Sequence, residues 1–130
     1  MNDAPTALPP ALLDALSTLL GPRGLVTDPA DMAPFLSDWR GLYHGTSPAL
    51  LRPASTAELA AAMRLLSEAG VAVVPQGGNT SMVGGAMPDE SGRQVVLSLA
   101  RMNRIRDIDP VDMTMVAEAG VILKNAQDAA

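Results

Sequence analysis

The sequence predicts an α+β chain: a small βαβ unit with further strands behind it and helices on its flanks. Three observations carry that expectation. A capped helical stretch lies between two apolar runs, Ala49-Leu50-Leu51-Arg52 and Val71-Ala72-Val73-Val74; three strand-like stretches follow; and helical repeats stand near both ends. A helix that joins two strands as a crossover makes them parallel. Whatever follows Val74 then sits at the carboxyl end of a strand, where open α/β sheets bind ligands.

The elements follow in order. Ala11 to Leu20 reads as a helix, with Leu12, Leu16 and Leu19/Leu20 at helical spacing, Pro9-Pro10 at its start and Gly21-Pro22 at its end. Asp31 to Leu36 reads as a short second helix, and Ser37 to Gly45 as irregular chain. Ala49 to Arg52 is a strand closed by Pro53. Thr56 to Ala69 is the clearest helix: Ser55 caps it, Glu58 completes a capping box, and Gly70 stops it. Leu59, Met63 and Leu66 are expected to line its inner face. Gln94 to Leu99, Arg104 to Asp109 and Met113 to Glu118 read as strands, with Pro110-Val111-Asp112 as a turn, and Val121 to Ala130 as a helix.

Composition narrows the function. The 130 residues make one domain at most, 48% hydrophobic, with a net charge of −5 and no basic block, so nucleic acid is not an expected partner. Cysteine is absent, which removes disulfides, thiolate metal sites and cysteinyl cofactor links. One histidine, one tyrosine, one tryptophan and one phenylalanine leave few catalytic groups or stacking rings. The longest uncharged stretch, Ala69 to Pro88, contains Pro75, Gln76, Asn79 and five glycines and is no membrane span. Met1-Asn2-Asp3-Ala4-Pro5 lacks the basic flank and apolar core of a secretory leader, and the reading is a cytoplasmic chain.

That same stretch holds Pro75-Gln76-Gly77-Gly78-Asn79-Thr80-Ser81-Met82-Val83-Gly84-Gly85, fed directly by an apolar run. Glycines let main-chain amides approach an anion and converge on it, and short hydroxyl and amide side chains add further partners. It is not a Walker loop, because Ala86 and Met87 stand where Lys and Ser/Thr are needed. Nor is it a dinucleotide G-x-G-x-x-G turn, since a strand rather than a helix follows. Two readings remain: a phosphate-holding loop, and a long surface turn between strands.

Other candidates read more plainly. His44 has no ligand-spaced acid beside it and reads as a loop residue. Asp107, Asp109 and Asp112 lack the glycine and closing glutamate of a calcium loop and read as a solvated turn. Arg104 and Arg106 share one face of a strand and read as a solvated edge, with Arg101 nearby. Trp39 beside Arg40 reads as a packing contact.

The string PQGGNTSMVGG, followed by VVLSLARMNRI and then AEAGV, resembles the first half of the FAD-binding domain of the vanillyl-alcohol-oxidase (PCMH-type) flavoproteins. It is most similar to the FAD-linked D-2-hydroxy acid dehydrogenases of the D-2-hydroxyglutarate dehydrogenase-like group. SDWRG, LLRPAS and the TAEL helix look like that family too, so the resemblance runs from about Asp38 to the end. It implies an N-terminal helical and irregular segment over 1–47 and the N-terminal part of a PCMH-type domain over 48–130, with the substrate domain absent.

By the same resemblance, Gly77, Gly78, Asn79, Thr80 and Ser81 would wrap the FAD diphosphate, Gln76 would precede the turn, and Gly84-Gly85 would complete the cradle. Pro53 would lie near the adenosine end, and Gly120 would bring the next strand end to the cofactor. Ser81 stands where the group tends to have glycine. Asn79 stands where some relatives carry a histidine bonded to the flavin, so a dissociable, non-covalent FAD is expected. The family passes hydride from a hydroxy acid to FAD, which a separate acceptor reoxidises. The substrate groups for that reaction would lie beyond residue 130, and no catalytic residue is assigned here. The competing expectation is a stand-alone nucleotide-, anion- or partner-binding module.

Overall fold

The computed structural model describes residues 7–130. Met1 to Pro5, on which the reading of a leaderless chain rested, lies outside the described residues.

The core is a four-stranded sheet in the order β1-β2-β4-β3, formed by Leu25–Val26 (β1), Leu50–Leu51 (β2), Ala72–Gln76 (β3) and Gln94–Ser98 (β4). β2 and β3 both run parallel to β4, with Leu51 opposite Leu97 and Val74 opposite Val96, while β1 is antiparallel to β2. The expected βαβ crossover is present, but its two strands are not neighbours: β4 inserts between them. β4 is the central strand, and Val95 to Ser98 are buried without alternation, as a strand covered on both faces requires. β3 is an edge strand, which is where Pro75, lacking a donor, can sit in a ladder.

Two clusters cover the faces. Helix α1 (Pro10–Leu20) and helix α3 (Thr56–Glu68) bury Leu12, Leu16, Ala62 and Leu66 against Leu51 and Val95. On the other side Met32 packs with Leu50 and Val96, flanked by Phe35 and Leu36. Met32 closes α2 (Pro29–Met32), and a 3-10 turn, Ala33–Phe35, follows. That helix begins two residues before its expected start, because the Asp28 side chain accepts from Ala30 N at 2.9 Å and Asp31 N at 3.2 Å and so caps it. α1 and β1 come from the segment before residue 48, yet they belong to the same sheet and core.

α3 is capped as its sequence predicts, with one adjustment. Ser55 Oγ accepts from Glu58 N, but the Glu58 carboxylate accepts from Ala54 N at 2.7 Å rather than from the cap residue. Gly70, at φ 66°, adopts the left-handed conformation that ends the helix. The inner face differs by one position. Ala62 and Leu66 are buried, whereas Met63 points outward at 38% exposure. The small alanine lets α1 approach closely, which methionine would prevent.

β5 (Ile105–Asp109) and β6 (Thr114–Ala117) form a separate antiparallel hairpin with an irregularity between Ile105 and Asp107. Asp109 Oδ1 accepts from Val111 N and Asp112 N, so this acid builds the turn. Helix α4 (Leu123–Ala129) ends the described chain. No helix among the described residues is long and apolar enough to cross a membrane.

Candidate functional site

Because β3 and β4 are parallel, their carboxyl ends open on the same side. The segment after Gln76 and the segment after Ser98 therefore leave the sheet together, tied by Leu99 N donating to Gln76 O at 2.9 Å. Gln76 is buried, and its side-chain amide donates to Phe35 O and Ala86 O, both at 3.0 Å. Those bonds join the two ends of the glycine loop across ten residues and fix the loop to the opposite layer.

At the loop's start, an ideal Cβ on Gly77 or Gly78 would meet no atom within 4 Å, and neither residue needs a positive φ. Among the described residues, no internal acceptor takes the amides of Gly77, Gly78, Asn79 or Thr80. Asn79 adopts φ 53°, a left-handed conformation that asparagine tolerates better than most residues. Its Nδ2 donates to Ser37 O at 3.0 Å, which leaves Oδ1 buried with no partner. An orphaned acceptor of this kind suits a hydroxyl donor rather than a phosphate oxygen. Ser81 Oγ accepts from Val83 N at a long 3.4 Å. Gly84 has φ 76°, and a Cβ there would lie 3.0 Å from the Tyr43 ring; Gly85 faces open space.

Gly120 stands across the cleft. A Cβ on it would fall 1.9 Å from Leu99 O, so only glycine fits between this turn and the 99–103 turn. The cleft is about 560 Å³ and is lined by Gly77, Gly78 and Thr80 on one wall and by Ala100, Asn103 and Gly120 on another. The residues singled out from the sequence are thus only partly gathered. Gly77, Gly78, Thr80 and Gly120 share the cleft; Gln76 and Asn79 brace it from behind; Ser81, Gly84 and Gly85 form the loop's far arm. Pro53 is fully buried and does not line the cleft.

A second loop, in which the sequence singled out Trp39, Arg40 and His44 but not Asp38 as its anchor, holds that far arm. Asp38 is 5% exposed; its Oδ1 accepts from Leu42 N at 2.7 Å and Tyr43 N at 2.8 Å, and its Oδ2 pairs with Arg40 Nε at 3.2 Å. The Tyr43 N–H, helped by the Leu42 N–H and Arg40, holds this carboxyl below its ordinary range against the opposing effect of burial. Arg40 then donates to Met82 O at 2.6 Å, with its guanidinium 5.8 Å from the Trp39 ring centre and 5.9 Å from that of Tyr43. Trp39 itself is 63% exposed, so the expected packing contact is corrected: the arginine is the fixed member, not the ring. The Asp38-x-x-Gly41 spacing, closed by Gly41 N donating to Asp38 O, is the turn signal that marks this loop.

The hairpin is anchored by Glu118. Its carboxylate accepts from Arg104 N at 3.0 Å and pairs with the guanidiniums of Arg104 and Arg106 at 3.0 and 3.1 Å. The Arg104 N–H first, then the Arg104 and Arg106 side chains, push its pKa down to about 2. Both arginines are exposed, as the solvated edge expects, yet each also pairs with the one buried acid. Arg106 also reaches Thr56 Oγ1 at 3.2 Å and ties the hairpin to the start of α3. His44 is exposed, with Nε2 against Gly41 O, and no group of three potential metal ligands occurs among the described residues.

Comparisons with known proteins agree with this geometry. A family described as an FAD binding domain matches residues 47–130. The D-2-hydroxyglutarate–pyruvate transhydrogenase of Saccharomyces cerevisiae is 43% identical over 100 residues, 75% of this chain and 19% of that protein. The mitochondrial D-2-hydroxyglutarate dehydrogenase of Bos taurus is 41% identical over 105 residues, 79% of this chain and 19% of that protein. The chain thus spans about a fifth of the length of these relatives. Among solved structures, alkyldihydroxyacetonephosphate synthase superposes with a TM-score of 0.84 at 21% identity over 99% of this chain and 26% of its own. For p-cresol methylhydroxylase the TM-score is 0.78 at 20% identity, over 92% of this chain and 24% of its own. Both show the fold, that of a PCMH-type domain in part. The cytoplasmic expectation is overturned: the relatives from Bos taurus, Arabidopsis thaliana and Danio rerio are named mitochondrial. The absence of a secretory leader had been the ground for it, and mitochondrial import reads a different, Arg-rich amphipathic signal.

Proposed function

The chain belongs to the FAD-binding domain family, and from that premise we propose that its glycine loop holds the FAD diphosphate in a D-2-hydroxy acid dehydrogenase. Residues 48–130 would be the N-terminal part of the cofactor domain, with 1–47 as its leading segment. The amides of Gly77, Gly78, Asn79 and Thr80 would donate to the diphosphate, and no lysine is needed because main-chain dipoles supply the positive field. Gly120 keeps the opposite wall close, and Ser81, Gly84 and Gly85 complete the loop, held in place by Gln76 and Arg40. Pro53 would contribute near the adenosine end only indirectly, since it is buried and does not line this cleft.

FAD, when bound, supplies the hydride acceptor, while the protein supplies position and polarity. The relatives' names support a D-2-hydroxy acid as the substrate, oxidised to the 2-oxo acid, with a separate acceptor closing the cycle. No residue among those described is assigned to handling that substrate. With asparagine at position 79 the cofactor would be dissociable.

One observation carries the reading: Gly77 and Gly78 leave open space where side chains would stand, inside a cleft that Gly120 closes from the other side. In the full-length protein, Gly78→Val fills that space without demanding a forbidden φ. The expected result is loss of copurifying flavin with the thermal midpoint little changed. Acid should release the wild-type flavin into the supernatant. Unchanged flavin occupancy in the variant would show that this loop does not meet the diphosphate.

A further inference from the structure

The turn at 99–103 contributes to two separate hollows. Ala100 and Asn103 line the glycine cleft, whereas Arg101 lines a second cavity of about 560 Å³ on the side of β1, β2 and the 3-10 turn. Three arginines meet there: Arg23, Arg52 and Arg101. Arg101 is fixed by donating to Arg52 O at 2.7 Å. The Arg52 guanidinium lies 6.0 Å from the Phe35 ring centre, and its Nε is buried with no partner. Buried donors are almost always satisfied, and a charged one left open is the least expected kind.

Asp31 also lines the cavity, but among the described residues it closes no ion pair with any of the three arginines. Three positive charges against one negative leave two uncompensated. The remaining wall is apolar, formed by Val26, Phe35 and Leu50. A cavity of this size exceeds a bare ion, since a water molecule occupies about 30 Å³ in the liquid, and falls within the range of small-molecule sites.

We infer that this cavity is a second ligand site, for an organic dianion whose charged head lies among the side chains of Arg23, Arg52 and Arg101 while its body lies against Phe35, Leu50 and Val26. An organic phosphate monoester has that chemistry. Arginine suits such a head because its planar fork meets two oxygens at once. The inference stands apart from the flavin assignment, because none of these residues lines the glycine cleft.

The test is calorimetric titration of the full-length protein with phenyl phosphate and with benzoate, in chloride buffer containing saturating FAD so that the glycine loop is not open to the probe. Phenyl phosphate should bind saturably, and benzoate, with the same ring and half the charge, about tenfold more weakly. Arg52→Gln and Arg23→Gln should each weaken phenyl phosphate about tenfold while flavin content and melting temperature stay at wild-type values. Arg23 is exposed, so its replacement cannot be confused with misfolding. No saturable binding, equal affinity for the two probes, or unchanged affinity in both variants would overturn the inference. Flavin content in the same samples reports separately on the glycine loop.

Discussion

At the scale of single residues, the half-buried Asn79 and the buried Glu118 do work that composition does not advertise. Asn79 spends its donor on Ser37 O and keeps its acceptor free. Asn79→Asp retains a side chain that tolerates positive φ but sets a carboxylate oxygen against the Ser37 carbonyl. The expected cost is about 1–3 kcal/mol, read as a lower urea midpoint, together with reduced flavin content. An unchanged midpoint would mean that the Ser37 contact carries no stability. Glu118 governs acid behaviour. Its pKa falls from an ordinary 4.5 to about 2 in the folded chain, so the unfolded chain takes up the proton first as pH drops. The stabilisation is complete above pH 4.5 and is lost progressively toward pH 2. Stability at pH 7 minus that at pH 3 should shrink in Glu118→Gln, which removes this titration. An undiminished difference in urea unfolding would assign the acid sensitivity elsewhere.

At the scale of elements, glycine positions that look alike in sequence separate by what surrounds them. Gly78 faces open space, whereas a Cβ on Gly120 would strike Leu99 O and Met102 O. Gly120→Ala should therefore lower the thermal midpoint where Gly78→Ala leaves it nearly unchanged, and equal midpoints would contradict the packing of the two turns. Much of this scale was legible beforehand: α3 with its Ser55 cap and Gly70 stop, the three later strands, and the loop's position at a strand end. What was not legible is what depends on distant partners. β1 has two residues and no alternation to detect. β4 enters between β2 and β3 only after the crossover is made. Met63 outranks Ala62 in hydrophobicity, yet the approach of α1 selects the smaller side chain. The Arg40 clamp was hidden because its partner, Met82 O, is a main-chain atom 42 residues away.

At the scale of the whole molecule, the cleft is a partial enclosure. Its walls come from the glycine loop, the 99–103 turn and the segment from Ala119 to Asn125, and the match covers only 19% of the yeast relative's length. A dinucleotide held mainly through its diphosphate keeps most of its two ring systems in water. Association costs roughly 4–15 kcal/mol in lost translational and rotational freedom, and a handful of exposed amide contacts offsets little of it. The 130 residues alone are therefore expected to bind FAD no tighter than about the millimolar range, equivalent to about −4 kcal/mol. Titration of FAD fluorescence with the isolated chain measures this directly, and the full-length protein should in contrast retain flavin through purification. A submicromolar dissociation constant for the isolated chain would place the main binding energy within these residues. The glycine loop would then be a complete cofactor site rather than one wall of it.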